Sequence, residues 1–384
     1  MFRPVIRKGQ QALQVLNYVG ILSLPSGSSI EILPKTTEVE SEKKSRQCLF
    51  KMLARVNDLP FTKFNDADLG VFERPLLEIL IGRFLQTVQH LINKGLRSQY
   101  IRVDGEEAFL KGKLRVGDHL RNPPHKRHFF PIEYDAYLLT RPENRLLHWA
   151  VNQVYHWSRD GIHRSHARKI LTLLSEVPRS NDPLADLKAW QDDRLMQHYA
   201  PVKVWIELIV KGISPWTQIG SVRGISLLYP MEQLFEKYVF QVIREQTQNG
   251  YTVRAQSYAG WLAHHSGKDF FRLQPDIIIQ KGETRVGVLD TKWKLLDQEN
   301  ARQKYGISQA DMYQLFAYSQ KCLPSGGNLF LVYPKTSQFS KPLPEFSFSN
   351  MHRLWVVPFC LETDSLINLK WPEDEPFLTG NRSA

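Results

Sequence analysis

Three residues in the C-terminal half of this chain have the types and spacing of a hydrolytic metal site: Asp276, Asp290 and Lys292. Side chains alternate across a β-strand, so Asp290 and Lys292 point to one face. Antiparallel pairing across the turn at 281–283 can bring Asp276 near that face. Two carboxylates that hold Mg²⁺ and an ammonium that orients water or stabilises charge on phosphorus suit phosphodiester hydrolysis. We therefore predict that Asp276 and Asp290 ligate Mg²⁺ and that Lys292 is catalytic.

Three side chains on neighbouring predicted helices extend this candidate site. Gln314 and Tyr318 are four residues apart on one helix, so they share a face. Glu236, on the helix that precedes the strands, adds a third carboxylate. Each has an ordinary alternative: helix packing for Gln314 and Tyr318, and a solvated charge beside Lys237 for Glu236. The Asp-x-Lys triplet is likewise common as a surface ion pair.

The elements that must position these residues form an α/β pattern from about residue 221 to the end of the chain. Helix, strand, strand, helix, strand, strand is the predicted order. These elements are expected at 230–250, 270–280, 285–296, 309–322, 328–334 and 353–362.

The first part of the chain has a different texture. Two apolar runs over 14–35 flank the turn residues 25–28, which predicts a β-hairpin. Gly, Ser and Pro gather over 213–225 and indicate a connection. We therefore divide the chain into an N-terminal partner-binding region, 1–220, and a C-terminal domain, 221–384. Within the first region we predict helices at 45–57, 75–95, 143–157, 164–176 and 184–212, β-structure at 99–117 and 131–139, and a loop at 118–130.

Composition indicates a folded protein that meets polyanions. Of 384 residues, 42% are hydrophobic and 23% charged, and the net charge is +11. Such a positive balance suits nucleic acid, because Lys and Arg displace counterions from phosphates. The three cysteines are far apart and lack metal spacing, which suits a reducing compartment.

Several motifs that would assign other functions are missing from the sequence. A phosphate-binding GxxxxGK[ST] loop is absent, so we expect this chain to hydrolyse no nucleoside triphosphate by itself. The N-terminal residues include no apolar signal region, and no run of 18 apolar residues occurs. We expect a cytoplasmic protein without a membrane segment.

The motif around the three candidate residues resembles a known family. "PDIII…DTKWK" is similar to the PD-(D/E)XK nuclease motif, and the longer pattern resembles McrC, the nuclease subunit of McrBC-type modification-dependent restriction systems. The blocks that carry the resemblance run along most of the chain. They are "NYVGILSLPSGSSIEILPK", "FLKGKLRV", "RPENRLLHWAV", "LFEKYVF", "QPDIII", "VLDTKWK", "DMYQLFAYS" and "LVYP".

The resemblance implies a C-terminal PD-(D/E)XK-type nuclease domain with a central mixed sheet flanked by helices. It implies that Asp276 and Asp290 are metal ligands, that Lys292 is the catalytic lysine, and that Gln314 and Tyr318 are the family's Gln-xxx-Tyr helix pair. Glu236 falls where many PD-(D/E)XK enzymes carry a supporting glutamate, although McrC-like chains do not all keep an acid there.

The resemblance also implies partners. McrC-like proteins bind McrB, an AAA+ GTPase that forms hexameric rings, binds the GTP and reads modified cytosine in double-stranded DNA. Their N-terminal region docks into the ring and stimulates GTP hydrolysis, and their C-terminal domain cuts the DNA. Basic residues that could serve the partner's GTPase site are Lys35, Arg46, Lys111 and Lys113, and the sequence does not choose among them.

Two other functions remain open at this stage. The chain could be a catalytically inactive adaptor that binds and activates an AAA+ GTPase ring, with the acids kept for structure. It could also be a stand-alone basic DNA-binding protein, which would bind DNA in a salt-sensitive way without a partner or divalent metal. The intact trio of two carboxylates and one lysine favours the nuclease.

Overall fold

The computed structural model describes residues 2–7, 10–23, 29–34, 42–57, 72–212, 218–219, 222–223, 226–258, 260–368 and 378. Its helices are α1 (Glu42–Val56), α2 (Leu76–Lys94), α3 (Val116–Arg121), α4 (Pro142–Trp157), α5 (Gly161–Leu173), α6 (Pro183–Lys188), α7 (Ala200–Gly212), α8 (Met231–Gln246) and α9 (Gln309–Cys322).

The strands belong to several separate sheets. In chain order they are β1 (Phe2–Arg7), β2 (Gln10–Val15), β3 (Tyr18–Ser23), β4 (Ser29–Ile32), β5 (Gln99–Glu107), β6 (Lys113–Leu114), β7 (Phe130–Leu138), β8 (Gln218–Ile219), β9 (Val222–Arg223), β10 (Ser226–Pro230), β11 (Tyr251–Ala255), β12 (Gly260–His265), β13 (Lys268–Leu273), β14 (Ile277–Lys281), β15 (Thr284–Thr291), β16 (Gly327–Pro334), β17 (Phe346–Ser349), β18 (His352–Cys360) and β19 (Ser365–Leu366).

The chain forms two compact units, and their composition differs from the division at 220/221. One unit contains 1–22, 29–73 and 227–384, and the other contains 23–28 and 74–226. The N-terminal segment groups with the C-terminal residues because α1 packs against α8. Leu49, Phe50 and Met52 on α1 are fully buried. The apolar face of α1 therefore stabilises the unit that carries the candidate site.

A seven-stranded mixed sheet forms the centre of that unit. Its order is β11-β14-β15-β16-β18-β17, with β19 beside β18. β11, β14 and β15 are antiparallel neighbours, whereas β15, β16 and β18 run parallel. Helix α9 connects β15 to β16 and packs on both, and α8 also packs on β15. The predicted fold class, a central mixed sheet flanked by helices, is confirmed.

The middle strands of this sheet are buried, as expected for parallel strands that are covered on both faces. Leu329, Phe330 and Leu331 of β16 are inaccessible to solvent. On one face, Leu315 and Tyr318 of α9 join the core cluster that covers the sheet. On the other, Phe235 and Tyr238 of α8 pack edge-on against Phe359. These apolar side chains give the candidate site a low-dielectric environment.

The predicted strand over 270–280 is wrong as a single element. The structure has β13 and β14 there, separated by Gln274–Asp276. Pro275 has no N–H to donate to a neighbouring strand, and the two parts pair with different partners, β13 with β12 and β14 with β11 and β15. The predicted strand over 285–296 likewise ends at Thr291.

The second unit contains α2, α4, α5 and α7 and a three-stranded sheet with the order β5-β7-β6. The helix predicted over 184–212 is wrong as one element. It is divided into α6, a 3-10 segment at Arg194–Tyr199, and α7. The Asp-rich sequence at 191–193 favours local turns over helix. The loop predicted over 118–130 overlaps the short helix α3. The hairpin turn expected at 25–28 lies outside the described residues.

One carboxylate, Asp364, joins three elements of the first unit. It lies 2.6 Å from the Lys51 ammonium and 2.8 Å from the Arg55 guanidinium, both on α1. Tyr238 of α8 donates its hydroxyl to the same carboxylate at 2.5 Å. Asp364 lies in the turn between β18 and β19 with φ +52°. It therefore connects α1 and α8 to the edge of the central sheet.

We predict that Asp364→Asn lowers the free energy of unfolding by about 1–3 kcal/mol, because two cations and a hydroxyl then face a neutral amide. Asparagine tolerates the positive φ, so the loss reports the charge and not the backbone. Denaturant unfolding measures the effect. Glu362→Gln, an exposed change in the same turn, is the control, and an equal loss in both variants would contradict this role.

Candidate active site

The site is built where β14 begins and β15 ends. Asp276 immediately precedes β14, and its carboxylate accepts the Thr291 amide at 2.7 Å and the Thr291 hydroxyl at 2.8 Å. β14 pairs antiparallel with β15, with Ile277 opposite Leu289. That register brings Asp276 to the last residues of β15, as the strand–turn–strand pattern predicts. Burial raises the pKa of Asp276, and the two hydrogen bonds from Thr291 oppose this.

Asp290 is the most deeply buried acid of the site, with 1% of its surface exposed. Lys292 Nζ lies 2.6 Å from Asp290 Oδ2, but the approach is not a well-aligned hydrogen bond. Oδ1 has no partner among the described residues. Burial, and then the charge of Asp276, raise the pKa of Asp290 to about 7. A buried carboxylate with an unused oxygen is expensive unless a cation completes its surroundings.

Lys292 and the two predicted residues of α9 form a chain of hydrogen bonds. The Lys292 ammonium donates to Gln314 Oε1 at 3.2 Å, and Gln314 Nε2 donates to the Tyr318 hydroxyl at 2.9 Å. Tyr318 in turn donates to the carbonyl of Gln274 at 3.2 Å. Burial lowers the pKa of an ammonium, but the contact with Asp290 and the charges of Asp290, Asp276 and Asp311 together outweigh it and raise the pKa of Lys292. The structure therefore brings these three side chains together and keeps Lys292 charged.

Glu236 lies on α8 at the edge of the same group. Its carboxylate accepts the side-chain amide of Gln256 at 2.7 Å. Burial, and then the charge of Asp276, raise the pKa of Glu236. Gln256 also donates its backbone N–H to the Asp276 carbonyl, so it connects both acids. All six predicted residues are thus in one electrostatic neighbourhood.

Sequence reasoning missed three residues that hold this arrangement. Thr291 fixes Asp276, and Gln256 links Asp276 to Glu236. Asp311 is a buried acid on α9 whose carboxylate lies 3.1 Å from Lys294 Nζ. Burial alone raises the pKa of Asp311, but Ser308 and Lys294 outweigh it and lower the pKa. Its position in the first turn of the helix, where acids are favoured, was the available signal.

The residues present fit a Mg²⁺ ion. No group of three or more His, Cys, Asp or Glu side chains arranged to hold a metal occurs in the described part of the chain. Two carboxylates are nevertheless a common protein contribution for Mg²⁺, which retains waters and takes further oxygens from phosphate. Asp276 and Asp290 would hold it, and the free Oδ1 of Asp290 is the observation that supports this fit.

Two of the other basic candidates have partners of their own. Arg46 is paired with Glu31 at 2.7 Å and with Glu42 at 2.9 Å. The Lys111 ammonium lies 4.1 Å above the Tyr134 ring. Lys35 is outside the described residues. Arg46 therefore forms ion pairs within its own unit, and Lys111 forms a cation–π contact.

Fold and site together define an α/β protein whose mixed sheet ends in a buried carboxylate–lysine cluster. A model of the McrBC 5-methylcytosine restriction system component family matches residues 13–334. The chain belongs to this family, and the resemblance predicted from its sequence is confirmed. A comparison with curated proteins finds no match.

Two solved structures are similar. One is a half-complex from the tetradecameric assembly of Thermococcus gammatolerans McrB AAA+ hexamers with bound McrC. The match has a TM-score of 0.70 and 19% identity, and covers 93% of this chain and 80% of the other, which shows a shared fold. The second is the Thermococcus gammatolerans McrBC complex. It matches with a TM-score of 0.47 and 21% identity, and the match covers 61% of this chain and 67% of the other. No helix in the described ranges is long and apolar enough to cross a membrane.

We predict that Asp290→Asn stabilises the metal-free protein by about 3 kcal/mol at neutral pH, because the amide removes a buried charge. The pKa of Asp290 in the fold, about 7, exceeds the ordinary value of 3.8. The unchanged protein therefore loses stability as pH rises from 3.8 towards 7, and the difference between the two proteins grows over that interval.

Thermal unfolding at a series of pH values, with and without Mg²⁺, measures both effects. Mg²⁺ should raise the melting temperature of the unchanged protein and leave that of Asp290→Asn almost unmoved. Glu283→Gln, exposed in the β14–β15 turn, is the matched control and should behave like the unchanged protein. A destabilised Asn variant, or an equal Mg²⁺ response in both, would count against a metal site here.

Proposed function

We propose that this chain is the DNA-cleaving subunit of a GTP-dependent restriction complex directed at modified cytosine, a Mg²⁺-dependent PD-(D/E)XK-type endonuclease. One observation carries the proposal. The buried Asp290 carboxylate has an unused oxygen beside Asp276 and an ammonium, that of Lys292, 2.6 Å from its other oxygen. Membership of the McrBC family supports a restriction system as its setting.

Each side chain has a role in phosphodiester hydrolysis that follows from its contacts. Asp276, held by two bonds from Thr291, and Asp290 provide oxygen ligands in fixed positions. Asp276 and Asp290 would hold Mg²⁺, which would polarise the scissile phosphate and make a coordinated water more acidic. The charged Lys292 lies where it can orient the attacking water or stabilise negative charge on phosphorus.

Gln314 and Tyr318 are positioning residues in this scheme. Lysine is a flexible point charge with several rotatable bonds, so its position needs a partner. Gln314 supplies one at 3.2 Å, and Tyr318 fixes Gln314 and is itself fixed on a backbone carbonyl. Glu236 could serve as a supporting carboxylate, because its charge interacts with Asp276 and Lys292.

The proposed partner is an AAA+ GTPase ring of the McrB type, with double-stranded DNA as substrate. The sequence lacks a phosphate-binding loop, so GTP would be bound by the partner, whose GTPase this chain would stimulate. The similar solved assembly contains McrB AAA+ hexamers with bound McrC, which supports the pairing. A reducing cytoplasm, suggested by the spacing of the cysteines, is the proposed location.

The inactive adaptor is less well supported. Two neighbouring carboxylates, one of them 1% exposed, lower folding stability unless they serve a cation. An adaptor would have no need of a lysine that is held in place by two further side chains.

We predict that Lys292→Ala lowers the rate of cleavage of modified DNA by the complex at least about 100-fold, because the charge that assists the reaction is lost. Association with the GTPase ring and stimulation of GTP hydrolysis should be unchanged. Lys321→Ala, an exposed lysine at the far end of α9, is the control and should cleave normally. Cleavage that survives in Lys292→Ala would falsify the proposed site.

We predict that Tyr318→Phe lowers kcat about 10-fold with little change in KM, because Gln314 loses its partner and Lys292 becomes mobile. Steady-state cleavage by the assembled complex measures the two constants. Tyr313→Phe, an exposed tyrosine on the same helix, is the control. A purely structural role for Tyr318 would instead lower stability and leave kcat of the folded fraction intact.

A further inference from the structure

The hairpin β12–β13 leads directly into the candidate site. Its strands pair antiparallel, from Gly260 opposite Leu273 to His265 opposite Lys268. The two residues that join them, Ser266 and Gly267, have φ of +47° and +75°. Positive φ at both positions is typical of the tight turn that suits a twisted two-stranded ribbon. This hairpin was not predicted from the sequence.

The surface of this hairpin is unusually apolar for a solvated element. Five of the six residues of β13 are exposed, and only Leu273 is buried. Phe270 is 41% exposed, Phe271 71% and, on the other strand, Leu262 46%. Several large apolar side chains exposed together on a thin ribbon indicate a surface that contacts another molecule.

One face of the ribbon combines aromatic rings with positive charge, and by alternation along the strands Leu262 and Phe271 belong to the other face. Residues opposite each other in a pair share a face, so Lys268 lies with His265, and Arg272 with Trp261. Phe270 lies between them on the same strand, and its ring is 6.0 Å from that of His265. The one acid of the hairpin sequence, Asp269, belongs to the opposite face. The face with two cations and aromatic rings is therefore complementary to an anionic partner with apolar surface.

The backbone at Phe271 supports a role beyond folding. Its φ is +58°, a conformation that a bulky side chain adopts only with strain, of order 1–3 kcal/mol. Burial of the ring does not offset this strain, since Phe271 is the most exposed of the hairpin's aromatic side chains. Such strain at an exposed ring is of the kind found at binding surfaces.

The base of the hairpin is fixed to the catalytic groups. The Tyr318 hydroxyl donates to the carbonyl of Gln274, the first residue after β13. β12 lies against α9, which carries Gln314 and Tyr318. Asp276 follows two residues after Gln274. Anything bound along the ribbon is thus held at a defined distance from the candidate metal ligands.

We infer that β12–β13 is a DNA-binding arm that lies in a groove of the duplex cut at Asp276, Asp290 and Lys292. This rests on the proposed function and adds how the substrate is held. A two-stranded ribbon fits the major groove of B-DNA, about 12 Å wide, and strands of six residues extend about 20 Å, enough to follow it. Lys268 and Arg272 contact phosphates, and Phe270, on the same face, contacts sugars and base edges.

The test uses the full chain and a fluorescein-labelled duplex carrying 5-methylcytosine, without divalent metal so that binding is separated from cleavage. In Lys268→Gln/Arg272→Gln, affinity should fall about 10-fold or more. The slope of log K against log salt should become shallower by about 2, because two phosphate contacts are lost. Lys321→Gln/Arg353→Gln is the control. It removes the same charges at the other end of the central sheet and should leave the slope unchanged.

A second variant separates binding from folding. Phe270→Ala removes a partly exposed ring of the face with the two cations, so it should weaken binding to the duplex at least about threefold and leave the melting temperature nearly unchanged. An unchanged affinity and salt slope in the double variant overturns the inference. The inference is also overturned if the unchanged chain does not bind the duplex. It is likewise overturned if the double variant loses association with the GTPase ring and keeps its DNA affinity. The two failures are distinguishable, because a wrong cleavage site appears as normal cleavage by Lys292→Ala, whereas a wrong arm appears as unchanged duplex affinity in the double variant.

Discussion

The buried charge of Asp290 is the constraint around which the rest of this unit is arranged. A carboxylate with 1% exposure, next to a second acid, is unfavourable in a low-dielectric interior. Lys292 offsets part of that cost at one oxygen, and Thr291 holds Asp276 with two hydrogen bonds. The buried residues 329–334 of β16 and the apolar faces of α8 and α9 supply the stability that permits it.

The same constraint explains why the site is connected in several directions. Lys292 has a flexible side chain, and its position is specified by Gln314 and Tyr318 on α9. Tyr318 reaches the backbone between β13 and β14, so the helix, the lysine and the segment that carries Asp276 form one network. A shift of the β12–β13 hairpin would therefore change the position of the Lys292 ammonium, because hydrogen bonds within this unit connect the two.

Local rules were enough to predict the part of the site that depends on spacing. Alternation along β15 placed Asp290 with Lys292, and four-residue spacing on α9 placed Gln314 with Tyr318. Long-range contacts decided the rest. The break before β14 reflects the different strand partners of the two parts, β12 for β13 and β11 and β15 for β14, and the grouping of α1 with α8 depends on residues almost 200 positions apart. No local pattern contains such pairings, so neither could be read from the sequence.

If the chain has the proposed nuclease activity, its small number of acidic ligands links metal binding to substrate binding. Two carboxylates leave most positions around a Mg²⁺ ion to water and phosphate oxygens. A DNA phosphate would therefore add oxygen ligands to those of Asp276 and Asp290, and in the metal-free chain burial raises the pKa of Asp290. Phosphates held by the β12–β13 hairpin would lie near these ligands, since the hairpin leads directly to the segment that carries Asp276. Binding of metal and binding of substrate would thereby support each other at this site.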